Sequence, residues 1–196
     1  MGKIFYLMGK SSSGKDTIYQ RLKQHFPQFK TNVLYTTRPM REGEKNCVDY
    51  CFIDDKKVEE LEKAGKIIEK REYETVHGIW KYMTVDDANF DVENENYLMI
   101  GTLESFLKIK EYFGKDLLVP IYINVEDGER LMRAILREKT QKEPKYAELC
   151  RRFLADEKDF SKENLLKAEI GKIFNNENLD KCVDEIILYV VTRMNI

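Results

Sequence analysis

Ile4-Phe5-Tyr6-Leu7-Met8-Gly9-Lys10-Ser11-Ser12-Ser13-Gly14-Lys15-Asp16-Thr17 is the stretch whose reading decides the fold. Five consecutive apolar residues with no polar alternation are the pattern of a strand buried on both faces of a parallel sheet. A loop of small residues follows. Ile18, Leu22 and Phe26 then recur at helical spacing, and Pro27 closes the helix. The loop fits G-x-x-x-x-G-K in the strand–loop–helix context that this pattern requires. Gly9 and Gly14 let the backbone N–H groups of Lys10, Ser11, Ser12 and Ser13 curl around a phosphate. The helix N-terminus adds positive potential, and Lys15 reaches the β- and γ-oxygens of a nucleoside triphosphate. Outside that context the same residues are a polar turn with an exposed lysine. Asp16 stands where a hydroxyl ordinarily ligates Mg2+, with Thr17 one position late, so Asp16 is the expected magnesium ligand.

Outward from this unit, strands alternate with helices. Residues 97–100 and 117–123 read as buried strands, Pro120 marking the second as an edge or a bulge. Residues 103–113, 126–138 and 179–194 read as helices. A long helix follows the polar tip at 139–145, carrying Leu149, Phe153 and Phe160 on one side, and residues 170–174 read as a last strand. The alternation implies an α/β fold with a doubly wound, mostly parallel sheet and ligands at the carboxyl ends of the strands. Residues 33–84 differ in texture: short β-type stretches (33–37, 50–53, 66–73, 79–84) surround one helical pattern at 57–64. That is a small mixed α+β insert. Residues 86–96 form an acidic, Asn-rich connection, read as a solvated surface. The organisation is core at 1–32, insert at 33–88, core at 89–127, a helical lid at 128–156 and core at 157–196.

Composition sets the outer bounds. The 196 residues, 42% hydrophobic and 35% charged, suit one soluble globular domain and exclude disordered, collagen-like and membrane-spanning chains. The net charge of −2 names no nucleic acid and no membrane as partner, but it is unevenly distributed. Residues 1–45 carry nine Lys/Arg against three Asp/Glu, and residues 46–100 seven against fourteen. Cys47, Cys51, Cys150 and Cys182 form no CxxC pair, and only His25 and His77 could join them, so zinc is not expected. Reduced thiols in a cytoplasmic protein are. The apolar run after Met1-Gly2-Lys3 is too short for a signal peptide.

Thr36-Thr37-Arg38-Pro39-Met40-Arg41-Glu42-Gly43-Glu44, followed by Asp49-Tyr50, is the second informative segment. Two arginines three apart can converge on one anion, guanidinium forks matching phosphate oxygens bidentately. With the phosphate loop, this segment resembles the guanylate kinase family, whose signature reads T-T-R-x-x-R-x-G-E followed by D-Y. The resemblance runs through most of the chain and implies ATP-dependent phosphoryl transfer to GMP, with Mg2+ accompanying ATP, in a monomer or homodimer. It implies that Arg38, Arg41, Tyr50 and Tyr82 hold the acceptor phosphate, with Glu44 supporting the arginines. Glu69 would accept from guanine N1–H and the amino group, rejecting adenine, and Thr84 would contact O6. Arg133 and Arg137, four apart on one helix, and Arg152 resemble the lid arginines that close over the transferring group. Asn176 resembles the asparagine near the adenine of ATP.

Four positions depart from the family pattern. Ile100 and Thr102 replace its acidic D-x-D, placing Thr102 at the acceptor site without a carboxylate. Leu34 stands where a serine touches guanine, and Lys70 where an aromatic follows the glutamate. Two rival readings stay open: a related kinase with another phosphorylated acceptor such as ribose 1,5-bisphosphate, and a non-catalytic scaffold that binds phosphopeptides. The intact Gly9, Gly14 and Lys15 count against the scaffold.

Overall fold

The computed structural model describes residues 1–41, 43–75, 78–87 and 90–194, so Glu42 of the arginine segment and His77 lie outside the described residues. Strand β1 (Ile4–Gly9) is buried along its whole length. Phe5 and Leu7 enter one apolar cluster with Ile18, Leu22, Phe174 and Ile186. Ile4, Tyr6 and Met8 enter a second, with Phe106, Ile109 and Phe160, on the opposite face. Strands β7 (Tyr97–Gly101) and β8 (Leu118–Asn124) flank β1 in parallel, Leu7 lying opposite Ile100 and Ile121. β2 (Lys30–Thr31) and β9 (Ile173–Asn175) complete a five-stranded parallel sheet in the order β2-β7-β1-β8-β9. Helices α1 (Lys15–His25) and α7 (Leu179–Met194) supply the first cluster and α3 (Leu103–Phe113) the second, so both faces are covered, as a parallel sheet requires.

A second sheet is built from the insert. Its order is β4 (Cys51–Phe52), β3 (Tyr35–Thr36), β6 (Gly78–Val85) and β5 (Ile67–Thr75). β5 and β6 are antiparallel, and the register slips by one residue between Ile67 and Glu69. That bulge brings Glu69 opposite Thr84. Helix α2 (Asp55–Lys63), capped by Asp54, packs Val58 and Leu61 against Met83 and Val85. Helices α4 (Asp127–Lys139), α5 (Tyr146–Asp159) and α6 (Lys162–Lys167) follow β8 in the chain.

Two expectations need correction. β8 is not an edge strand but lies between β1 and β9. Pro120 is tolerated because β9 pairs only from Tyr122 onward, leaving the strand a local edge at the proline. The four cysteines are not all thiols: Cys47 and Cys51 form a disulfide, because the turn between them folds back so that Cys47 N–H donates to the Tyr50 carbonyl at 2.8 Å. Cys150 and Cys182 are free, and burial, with Glu185 nearby, pushes the Cys182 thiol up to about 11. The short elements β2 and α6 have too little apolar periodicity to be read from sequence. Among the described residues no helix is long and apolar enough to cross a membrane.

Leu7 is fully enclosed between β7, β8 and the α1/α7 layer. Leu7→Ala is expected to destabilise the protein by about 3 kcal/mol, from lost transfer energy plus the cavity left behind. Urea unfolding followed by circular dichroism measures it.

Candidate active site

The carboxyl end of β1 runs into the phosphate loop. A Cβ at Gly9 would meet the Ile123 carbonyl at 2.6 Å, so only glycine lets the loop leave the sheet there. Gly14, at φ 84°, is the N-cap of α1. Asn176 is buried and donates from Nδ2 to the Ser13 carbonyl at 2.9 Å. The side chain expected near adenine therefore holds the loop itself. Ser12 and Ser13 are the informative pair: both hydroxyls are buried and, among the described residues, have no hydrogen-bond partner. Unpaired polar atoms of this kind are costly unless a ligand answers them.

The other loop residues divide by their partners. Lys15 stands 3.6 Å from Asp16, whose carboxylate is largely exposed. Lys10 does not face the cleft as expected, because its ammonium is tied to Glu157 at 2.5 Å and Asp127 at 3.4 Å. The Ser11 N–H donates to Asp156 at 2.8 Å. Thr17 lines the cleft in front of the loop, with Ser12, Gly14, Asp16, Arg133, Arg137 and Asn176.

Arg130, which sequence reasoning missed, gathers these contacts. It is 1% exposed and donates to Asp127 at 2.7 Å, to Glu157 at 2.7 Å and to the Ser11 carbonyl at 3.2 Å, with the Phe153 ring beneath it. One guanidinium thus ties the loop to both α4 and α5. The signal available was its spacing, three residues before Arg133 and three after Asp127. Of the lid arginines, Arg133 pairs with Glu129 and reaches the Asn176 carbonyl at 3.2 Å. Arg152 pairs with Glu148 at 2.8 Å. Arg137 makes no ion pair among the described residues; it lines both the loop cleft and a smaller cavity between Ser11, Ser12 and α4–α5, where Arg152 joins it.

Beside Tyr50 and Glu69 lies a second cavity of about 390 Å³, a size suited to a small ligand. Arg38 is buried and held bidentately by Glu44, at 2.7 and 3.0 Å, which raises its pKa further. Glu44 also accepts from the Arg41 backbone N–H at 2.7 Å, so Arg41 is fixed through its main chain while its side chain is exposed. The Tyr50 ring lies 5.3 Å from the Arg38 guanidinium and edge-on to Tyr82. Burial, then the neighbouring Tyr82, pushes the Tyr50 hydroxyl up.

At the other end, Glu69 is 2% exposed and accepts from Thr84 at 3.1 Å and from Arg71 at 3.1 and 3.3 Å. Arg71 was not anticipated, although two residues from Glu69 on a strand put both on one face. Burial pushes the Tyr6 hydroxyl at this end well above the phenol range, Arg71 opposing and Glu69 adding to it. Thr102 is not brought to the cavity: its hydroxyl caps α3, accepting from Ser105 N–H at 3.2 Å. Ile100 and Leu34 do line it. Asp16 stands in the wall of both the second cavity and the loop cleft.

The donor set fits a magnesium ion arriving with a triphosphate. The described residues hold no cluster of three acidic, His or Cys side chains. Phosphate oxygens and water would therefore supply most ligands, as is usual for Mg2+, beside Asp16 and the unpaired serine hydroxyls.

The sequence model of the guanylate kinase family matches residues 1–189. The guanylate kinase of Tropheryma whipplei strain Twist is 34% identical over 76 residues, 39% of this chain and 38% of that protein's length. That of the Wolbachia of Brugia malayi is 26% identical over 186 residues, 94% of this chain and 90% of the relative. A crystal structure of guanylate kinase from Anaplasma phagocytophilum superposes with a TM-score of 0.67 at 21% identity, over 98% of this chain and 86% of that one; this likeness is one of fold.

Replacing Arg130 with Met, which retains bulk but no charge, is expected to destabilise by about 3 kcal/mol, because carboxylates gathered around a buried cation lose it. Thermal unfolding at low and high salt checks this. Hydrogen bonds from Arg151 and then Arg152 hold the Glu148 carboxyl at about 2 against the opposing effect of burial. A lowered carboxylate stabilises fully above its ordinary 4.5 and loses that contribution as pH falls through about 2. A carbon NMR titration of the Glu148 carboxyl should therefore show its midpoint near 2; one near 4.5 would mean the pairs are absent in solution.

Proposed function

The chain belongs to the guanylate kinase family, and on that premise we propose that it transfers the γ-phosphoryl group of ATP to GMP, giving ADP and GDP. The observation that carries this reading is the meeting of two clefts at Asp16. One contains the phosphate loop, with serine hydroxyls unpaired among the described residues, and Arg133 and Arg137; the other has Tyr50 and Glu69 in its wall, with Arg38 behind it, 5.3 Å from the Tyr50 ring. A donor phosphate on one side and an acceptor phosphate on the other would face each other across that carboxylate.

The chemistry asked of the chain is positioning and charge stabilisation, since the attacking group is already an anion and needs no general base. Loop amides and Lys15 hold the donor phosphates. Arg137, whose guanidinium has no competing carboxylate among the described residues, is the lid cation best placed to stabilise charge on the transferring group, with Arg133 and Arg152 joining it once released from Glu129 and Glu148. Arg38, stiffened by Glu44, holds the acceptor phosphate with Tyr50, Tyr82 and Arg41. Mg2+ held at Asp16 would neutralise charge on the triphosphate oxygens.

A coupled ADP-release assay with ATP and a panel of GMP, dGMP, AMP, UMP and ribose 1,5-bisphosphate tests the reading. GMP-dependent turnover is expected, and Lys15→Met should lower kcat by about 100-fold or more. ADP release with none of the nucleoside monophosphates would refute it.

A further inference from the structure

Glu69 is the carboxylate on which the proposed acceptor depends, and it is not free. A carboxylate has about four lone-pair positions; two are filled by Arg71 Nε and Nη2 and a third by the Thr84 hydroxyl. One position remains for a ligand. Thr84 has a single hydroxyl hydrogen and gives it to Glu69, so it has none to offer a carbonyl oxygen. Leu34, in the same cavity wall, has no polar group at all. Arg71 differs from both. Of a guanidinium's five N–H groups it uses two on Glu69, and the rest belong to a side chain that lines the cavity. Burial acts to lower the Arg71 pKa, but Glu69, Tyr73 and Tyr6 hold it above its ordinary value, so the donors are permanent.

We infer that Arg71 is a specificity-determining residue, and that the Arg71–Glu69 pair reads the acceptor base as one unit. Arg71 donates to the carbonyl oxygen at C6, and Glu69 accepts from the adjacent ring N1–H. This rests on the proposed purine nucleotide acceptor and narrows it. The pair presents a donor beside an acceptor, which complements the acceptor–donor order of a 6-oxopurine edge. Because the phosphate is anchored at Arg38, Tyr50 and Tyr82, the base cannot turn over to present adenine in reverse. With one lone pair left on Glu69, the 2-amino group of guanine finds no strong acceptor there. The substrate class is therefore 6-oxopurine nucleoside monophosphates, with or without that amino group.

The test compares kcat/KM for GMP, IMP and AMP in the unaltered enzyme and in Arg71→Lys and Arg71→Met. The unaltered enzyme should use IMP within about tenfold of GMP and reject AMP by about 1,000-fold or more. Arg71→Lys keeps a cation beside Glu69 but loses the planar fork, and should lower kcat/KM for GMP and IMP alike by about 30-fold with KM for ATP unchanged. A merely structural arginine would be rescued by lysine and would leave the ratio among the bases untouched. IMP poorer than GMP by about 1,000-fold, or Arg71→Lys and Arg71→Met both at unaltered KM for GMP, would overturn the inference while leaving GMP kinase activity standing. Turnover of ribose 1,5-bisphosphate with no purine nucleotide would remove the proposed acceptor, and the inference with it; Arg71 would then be a second phosphate anchor. The ratio in the unaltered enzyme decides even if Arg71→Met fails to fold.

Discussion

The burial of β1 on both faces and both edges is the constraint from which the rest follows. Phe5 and Leu7 are committed to one helical layer, Ile4, Tyr6 and Met8 to the other, and the backbone to β7 and β8. A strand so enclosed has one register, since a slip of one residue would exchange its two faces. Its end is therefore a fixed point, and the phosphate loop begins there. The loop inherits this precision through Gly9 against Ile123 and through Asn176 on Ser13. The same strand also reaches the second cavity, through Tyr6 in its wall.

From this fixed point the site is organised by three enclosed arginines, each matched to carboxylates. Arg130 joins the loop to α4 and α5, Arg38 joins its own turn to Glu44, and Arg71 holds Glu69 across the face of β5. Such pairs contribute little net stability once desolvation is counted, yet leaving either half unpaired is costly. Each therefore fixes a geometry more than it adds free energy. Arg133 and Arg152 differ: their pairs are partly exposed and lie within one helix, where such contacts are weak and readily exchanged for a ligand's phosphate.

Legibility in the sequence followed the range of the interaction. The strand–loop–helix opening, α3 and α7 were readable because hydrophobic period and helix stops such as Pro27 after Phe26 are local signals. The arginine segment was readable because Arg38, Glu44 and Tyr50 lie within thirteen residues, and the three that the family resemblance groups together do meet. Pro120 misled because its local preference is for an edge, whereas the edge here is confined to the first part of β8, before the pairing with a strand more than fifty positions later begins at Tyr122. The Cys47–Cys51 bond depended on how one turn folds back, which spacing alone does not state.

The sequence by itself determined the class of fold, the phosphate loop and the residue types of an acceptor site, since these rest on neighbours along the chain. Only the tertiary structure decided what each polar group is free to do. It assigned Lys10 to Glu157, Thr102 to a helix cap, Asn176 to a loop carbonyl and the Thr84 hydrogen to Glu69, while leaving Arg137 and the Ser12 and Ser13 hydroxyls uncommitted among the described residues. The physical reason is that a hydrogen bond or ion pair can be answered from anywhere in the chain, and each donor or lone pair filled in a buried site within the protein is one fewer for a ligand.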